Sequence, residues 1–125
     1  MTTTDELDIF PADNRTGCEP GATVELSAMW ALRKPPRSLE ARLFWFTRGK
    51  GTEDVEVVAT QAVETPAAAG EHVFRFTLPE APWSFSGKLI SLLWAVEFVA
   101  DDRSARWEFA LGPGGREVRL NHDPA

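Results

Sequence analysis

Glu71-His-Val-Phe-Arg-Phe-Thr-Leu78, followed across a proline-bearing loop by Lys88-Leu-Ile-Ser-Leu-Leu-Trp-Ala-Val-Glu-Phe-Val-Ala100, is the stretch that decides the architecture. In the first segment His72, Phe74, Phe76 and Leu78 fall on one side of an extended chain, and Val73, Arg75 and Thr77 on the other. In the second, Ile90, Leu92, Trp94, Val96 and Phe98 oppose Leu89, Ser91, Leu93, Ala95 and Glu97. Both repeat with period two, as a strand does when successive side chains point to opposite faces. Neither carries a sustained 3.6-residue period, so both predict strands.

The same alternation continues outward in both directions. Toward the N-terminus, Thr23–Leu32 puts Val24, Leu26, Ala28 and Trp30 on one face, and Leu39–Arg48 does the same with Leu39, Ala41, Leu43 and Trp45. Asp54–Val63 places Val55, Val57, Ala59 and Val63 together, and a short strand is expected at Leu7–Phe10. Toward the C-terminus, Ser104–Leu111 turns Ala105, Trp107, Phe109 and Leu111 inward, and a last strand is expected at Arg116–Leu120. Gly and Pro clusters punctuate these runs, the pattern of an all-β domain. The expected fold is an all-β, immunoglobulin-like antiparallel β-sandwich of seven to eight strands, one domain over residues 1–125 with its core at about 7–120 and frayed ends.

Composition narrows the function classes. The chain has 125 residues, with 13 Lys and Arg against 19 Asp and Glu, for a net charge of −6. That balance opposes non-specific nucleic-acid binding, which rests on phosphate contacts. The single Cys18 excludes an intrachain disulfide and every multi-cysteine metal site. The acidic start Met1–Asp8 lacks a signal-peptide pattern, and Leu89–Ala100 is too short to span a bilayer as a helix. A cytoplasmic protein is the expectation, with peripheral membrane contact left open.

Several segments, in order, resemble the arrestin-like domain family. Leu7-Asp-Ile-Phe10 and Glu19-Pro-Gly-Ala-Thr-Val24 look like its opening strand, Pro-Gly turn and valine-led second strand. Ser38-Leu-Glu-Ala-Arg-Leu-Phe-Trp-Phe-Thr-Arg-Gly-Lys-Gly51 resembles the strand that follows and ends at a glycine. His72–Pro79, Ala81-Pro-Trp-Ser-Phe-Ser-Gly87 and Ile90–Asp101 resemble its aromatic strand into Leu-Pro, its Pro-x-Ser loop and its long strand with a central aromatic. The resemblance covers roughly Leu7 to Leu111 and implies a single stand-alone sandwich of the bacterial style, whereas the family usually pairs two. The central aromatic here is Trp94, and no tyrosine occurs. The resemblance implies a non-enzymatic adaptor or scaffold that binds other proteins.

Residues able to do chemistry are sparse. His72 lies on an apolar strand face and reads as a core or rim histidine, His122 as solvated in the tail, and Cys18 as a bystander thiol in a turn. Asp101-Asp102 is explained by turn chemistry. No P-loop or dinucleotide fingerprint is present, so no metal, cofactor or catalytic residue is assigned and no enzymatic activity is expected. Arg33, Lys34 and Arg37, with Arg48 and Lys50, are candidate anion-binding residues for an acidic tail or lipid headgroup, against a reading as solvated loops.

Two strands are apolar on both faces: Phe44 and Phe46 oppose Leu43 and Trp45, and Leu89 and Leu93 oppose Trp94. Either loops or the N-terminal strand cover these four residues, or they form an outward patch for another protein or a second copy in a homodimer. An unpaired edge strand able to accept an extended peptide is a further route. The alternative function is a small-ligand or carbohydrate-binding sandwich using Trp83 and Phe85, which otherwise plug the sandwich end.

Overall fold

The computed structural model describes residues 5–51, 53–87 and 89–119. Among the described residues ten strands occur in order: β1 Glu6–Pro11, β2 Gly17–Cys18, β3 Thr23–Ala31, β4 Leu39–Gly49, β5 Val55–Ala62, β6 Ala69–Thr77, β7 Phe85–Ser86, β8 Ile90–Ala100, β9 Arg103–Leu111 and β10 Val118–Arg119. A short 3₁₀ turn, Pro113–Gly115, precedes the last. The predicted last strand extends to Leu120, which lies outside the described residues, as do His122 and the rest of the tail.

The strands form the expected sandwich. The smaller sheet has the order β1-β3-β6, antiparallel throughout. In the larger one β8 is central. It pairs with β4 along its whole length, and β4 in turn pairs with β5 at the sheet edge. The other side of β8 is shared by β7 at Ser91 and Leu92 and by β9 from Trp94 to Ala100. Two junctions depart from a wholly antiparallel design: β2 pairs parallel with β9, and β10 parallel with β7. Each joins only two residues per strand, too few to leave an alternation in the sequence.

The core is where the alternation puts it. Val24, Leu26, Ala28, Trp30, Phe74, Phe76 and Leu78 of the smaller sheet face Leu39, Ala41, Leu43, Trp94, Val96, Phe98 and Phe109 of the larger. Trp30 and Phe74 meet Phe98 across the interface at ring-centroid distances of 6.0 and 5.8 Å. Such tilted contacts suit aromatic quadrupoles. Pro11 is buried at the end of β1, an edge strand, where its missing N–H costs no ladder bond.

One strand departs from the sequence reading. Leu43 pairs with Ala59 but Phe44 pairs with Val57, so Val58 is an extra residue in β5. This β-bulge breaks the alternation. Val55 and Val57 go to the outer face beside Phe44 and Phe46, while Ala59 and Val63 pack on the core. The expectation that Val55, Val57, Ala59 and Val63 share one face is therefore corrected, and the cause is the bulge.

Turn chemistry accounts for Asp101. Its backbone has φ 53°, and its carboxylate accepts the N–H groups of Arg37 at 3.1 and 3.2 Å and of Ser38 at 3.1 Å. It thereby clamps the β3–β4 loop to the β8–β9 turn. Asp101→Ala is expected to cost about 1–2 kcal/mol and lower Tm by roughly 3–8 °C. Asp101→Asn, which keeps one acceptor and tolerates the left-handed backbone, should cost less. Thermal unfolding followed by circular dichroism measures both.

Candidate functional site

The outer face of the larger sheet holds a second, smaller cluster. Phe44, Phe46 and Ala95 are buried there with Leu93 packed against them, and the two phenylalanine rings are 5.7 Å apart. Among the described residues, side chains of β4 and β9 lie over the two rings. The Arg106 guanidinium lies 5.0 Å from the Phe44 ring centroid and 5.3 Å from Phe46, and that of Arg48 lies 5.5 Å from Phe46. Both are cation–π distances. Carboxylates hold this roof in place: Arg106 pairs with Glu97 at 3.2 Å and Glu108 at 3.7 Å, and Arg48 with Glu108 at 4.0 Å.

Beside the roof the face stays open. A shallow groove of about 250 Å³ runs between Arg42, Arg106 and Glu97 on one side and Val55 and Val57 on the other, with Phe44 and Phe46 at its floor. Val55 is 66%, Val57 51% and Val58 42% exposed. All three lie on β5, which pairs with β4 on one side and with no described strand on the other. Near its C-terminal end, Gln61 Nε2 donates to the Arg75 carbonyl of β6 at 2.6 Å, a side-chain stitch across the open side of the sandwich. At its other end Glu56 accepts the Trp45 Nε1–H at 3.0 Å.

Of the four apolar candidates, Phe44, Phe46 and Leu93 come together on this face, while Leu89 lies before β8, exposed and apart from the cluster. The basic candidates separate. Arg33, Lys34 and Arg37 sit before the start of β4 and Arg48 and Lys50 at its end, about 34 Å apart along the strand. Arg48 is folded back onto Phe46 and Glu108. The valines of β5 were not singled out by sequence reasoning. Their signal is the long, proline-free run Glu53–Glu64, which carries exposed valines with no cationic residue among them.

The remaining candidates have structural positions. His72 is exposed and sets its ring edge-on to Phe74 at 4.6 Å. Phe85 packs on the main core, while Trp83 is left on the surface with its Nε1–H donated to the Glu80 carbonyl at 2.8 Å. Between them Ser84 is buried, its hydroxyl accepting the Leu111 N–H at 2.9 Å. Among the described residues no group of three or more His, Cys, Asp or Glu is placed to hold a metal ion.

Cys18 lies in β2 rather than a turn and is buried beside Leu111. Burial pushes its thiol pKa up, and the Arg15 guanidinium partly opposes this. The unfolded chain therefore releases this proton at lower pH than the native one does. Stability should fall as pH rises through the unfolded thiol value, about 8.5, and Cys18→Ala should remove that component. Aromatic disulfide reagents should label the native protein roughly tenfold or more slowly than the urea-unfolded chain.

No family model matches the chain, and no curated protein does. Similarity appears among solved structures. Spo0M, a sporulation control protein from Bacillus subtilis, superposes with a TM-score of 0.62 at 14% identity over 90% of this chain. This chain spans about half of that protein, 51% of its length. Spo0M has an arrestin-like fold, so the likeness supports the arrestin-like sandwich as the fold. A β-glucosidase from Listeria innocua in complex with gluconolactone gives a TM-score of 0.47 at 14% identity, over 91% of this chain and 16% of the enzyme. Among the described residues no helix is long and apolar enough to cross a membrane.

Proposed function

We propose that this chain is a non-enzymatic adaptor domain, a single arrestin-type sandwich acting in the cytoplasm by binding another protein through the β5 side of its larger sheet. The observation that carries this reading is the run Val55, Val57 and Val58, exposed along a strand with an open edge. Edge strands usually carry lysine or proline, are very short, or are covered. β5 has eight residues and contains neither lysine nor proline. An apolar surface left uncovered at a sheet edge is characteristic of an interaction site. The likeness in fold to a sporulation control protein is in keeping with a regulatory part.

Affinity capture from the native lysate tests the reading. Wild-type protein is expected to retain a specific partner or to self-associate, and Val57→Lys to lose that interaction while keeping the wild-type circular dichroism spectrum. Val73→Lys, on the outer face of the smaller sheet, should retain it. Equal capture by all three proteins would count against the β5 side, and a strict monomer with no partner against the adaptor role itself.

A further inference from the structure

The chemistry of the β5 edge specifies its occupant more closely. The Thr47 N–H donates to the Asp54 carbonyl at 2.9 Å, so Asp54 turns its backbone groups toward β4. In an antiparallel ladder such residues alternate with residues whose N–H and C=O point away. Val55 and Val57 are therefore the ones that present backbone donors and acceptors to the open side. Their side chains stand on the outer face, continuing the row of Phe44 and Phe46.

Charge selects what can pair there. From residue 53 to residue 64 the chain carries Glu53, Asp54, Glu56 and Glu64, with no Lys or Arg. A second copy laid antiparallel along this strand would set Glu53 or Asp54 of one copy against Glu64 of the other. Like charges placed opposite each other destabilise a pair of strands. The carboxylates that repel a copy attract a cationic strand.

We infer that the β5 edge accepts, by strand addition, an extended segment of another protein in which apolar residues alternate with Lys or Arg. The apolar side chains lie on the outer face beside Val55 and Val57, and the basic ones on the opposite face toward Glu56, while Glu53 on the outer face and Glu64 beyond the strand's end add to the acidic field along the edge. Main-chain hydrogen bonds to Val55 and Val57 supply affinity, and the alternation supplies specificity. This inference rests on the adaptor reading and names the chemistry of its partner.

Fluorescence anisotropy with two synthetic ten-residue peptides tests it, one alternating Val and Lys and the other alternating Val and Glu. The Val/Lys peptide is expected to bind at least tenfold more tightly and to weaken at 0.5 M salt. Affinity should also fall at least tenfold with Val57→Lys, with Glu53→Lys/Glu64→Lys, and when one of the two alternating sets of peptide nitrogens is N-methylated. Equal binding of both peptides, or indifference to both N-methylated sets, would overturn strand addition. So would a concentration-dependent dimer in sedimentation that Val57→Lys abolishes, since the edge would then belong to a second copy. If neither peptide binds while Val57→Lys still loses its partner from lysate, strand addition fails and the adaptor reading stands. If lysate capture is also unaffected, both fail.

Discussion

Replacing Trp94 with alanine is expected to remove about 3–5 kcal/mol of folding stability. Trp94 is fully buried at the middle of the central strand β8, opposite Trp45 in β4 and Phe109 in β9. Its ring lies 6.2 Å from that of Phe109, and its Nε1–H donates to the Pro82 carbonyl at 2.8 Å. Alanine would leave a cavity under both sheets and a carbonyl without its donor. Against the 5–15 kcal/mol typical of a whole domain, this is a large fraction. Trp94→Phe keeps most of the ring and loses chiefly the hydrogen bond, about 1–2 kcal/mol. Urea unfolding followed by far-ultraviolet circular dichroism separates the two variants, and a Trp94→Ala loss below that of Trp94→Phe would contradict this account.

Gly49→Ala should be nearly as damaging for a different reason. Gly49 closes β4 opposite Ile90 with φ 144°, a backbone that side-chain-bearing residues rarely adopt. A Cβ there would stand 2.1 Å from the Leu89 carbonyl oxygen and 2.8 Å from the Ile90 Cα. Both are backbone atoms, so no rotamer change relieves the contact. The next residue, Lys50, donates its N–H to that same Leu89 carbonyl at 2.9 Å. The expected cost is about 2–3 kcal/mol from the strained backbone and the displaced ladder end. Hydrogen exchange should show it as lost protection at the Gly49–Ile90 end, with the Leu39–Ala100 end preserved.

How far the residues announce this structure depends on whether a feature repeats. Phe74, Phe76, Trp94 and Phe98 announce their inward face because each belongs to an alternation several residues long, and a one-residue slip would turn the whole set to water. The two-residue strands β2 and β7 carry no such repeat, so Cys18 reads as a turn residue and Phe85 as a loop residue. The bulge at Val58 is invisible for a related reason. Any β-branched residue suits both regular strand and bulge, and only the pairing with β4 shows which valine is extra. At the candidate site, the outward direction of Phe44 and Phe46 is legible from parity alone. Their guanidinium roof is not, because Arg106 comes from β9, far along the chain, and reads locally as one polar residue in an alternating strand. The open edge of β5 is likewise a property of strand order, which no local pattern states.

The ladder between β4 and β8 has a consequence for the order of events in folding. It joins Leu39 to Ala100 at one end and Gly49 to Ile90 at the other, and the smaller sheet similarly joins β3 to the distant β6. Such pairings must close large loops before they are rewarded, so folding is expected on the millisecond-to-second scale of non-local β topologies. During synthesis the central strand β8 follows β4 only after β5, β6 and β7 have been made. Until then Leu39, Leu43 and Phe44 lack their partners Ala100, Val96 and Ala95 on that side of β4, and the nascent chain carries those apolar positions uncovered.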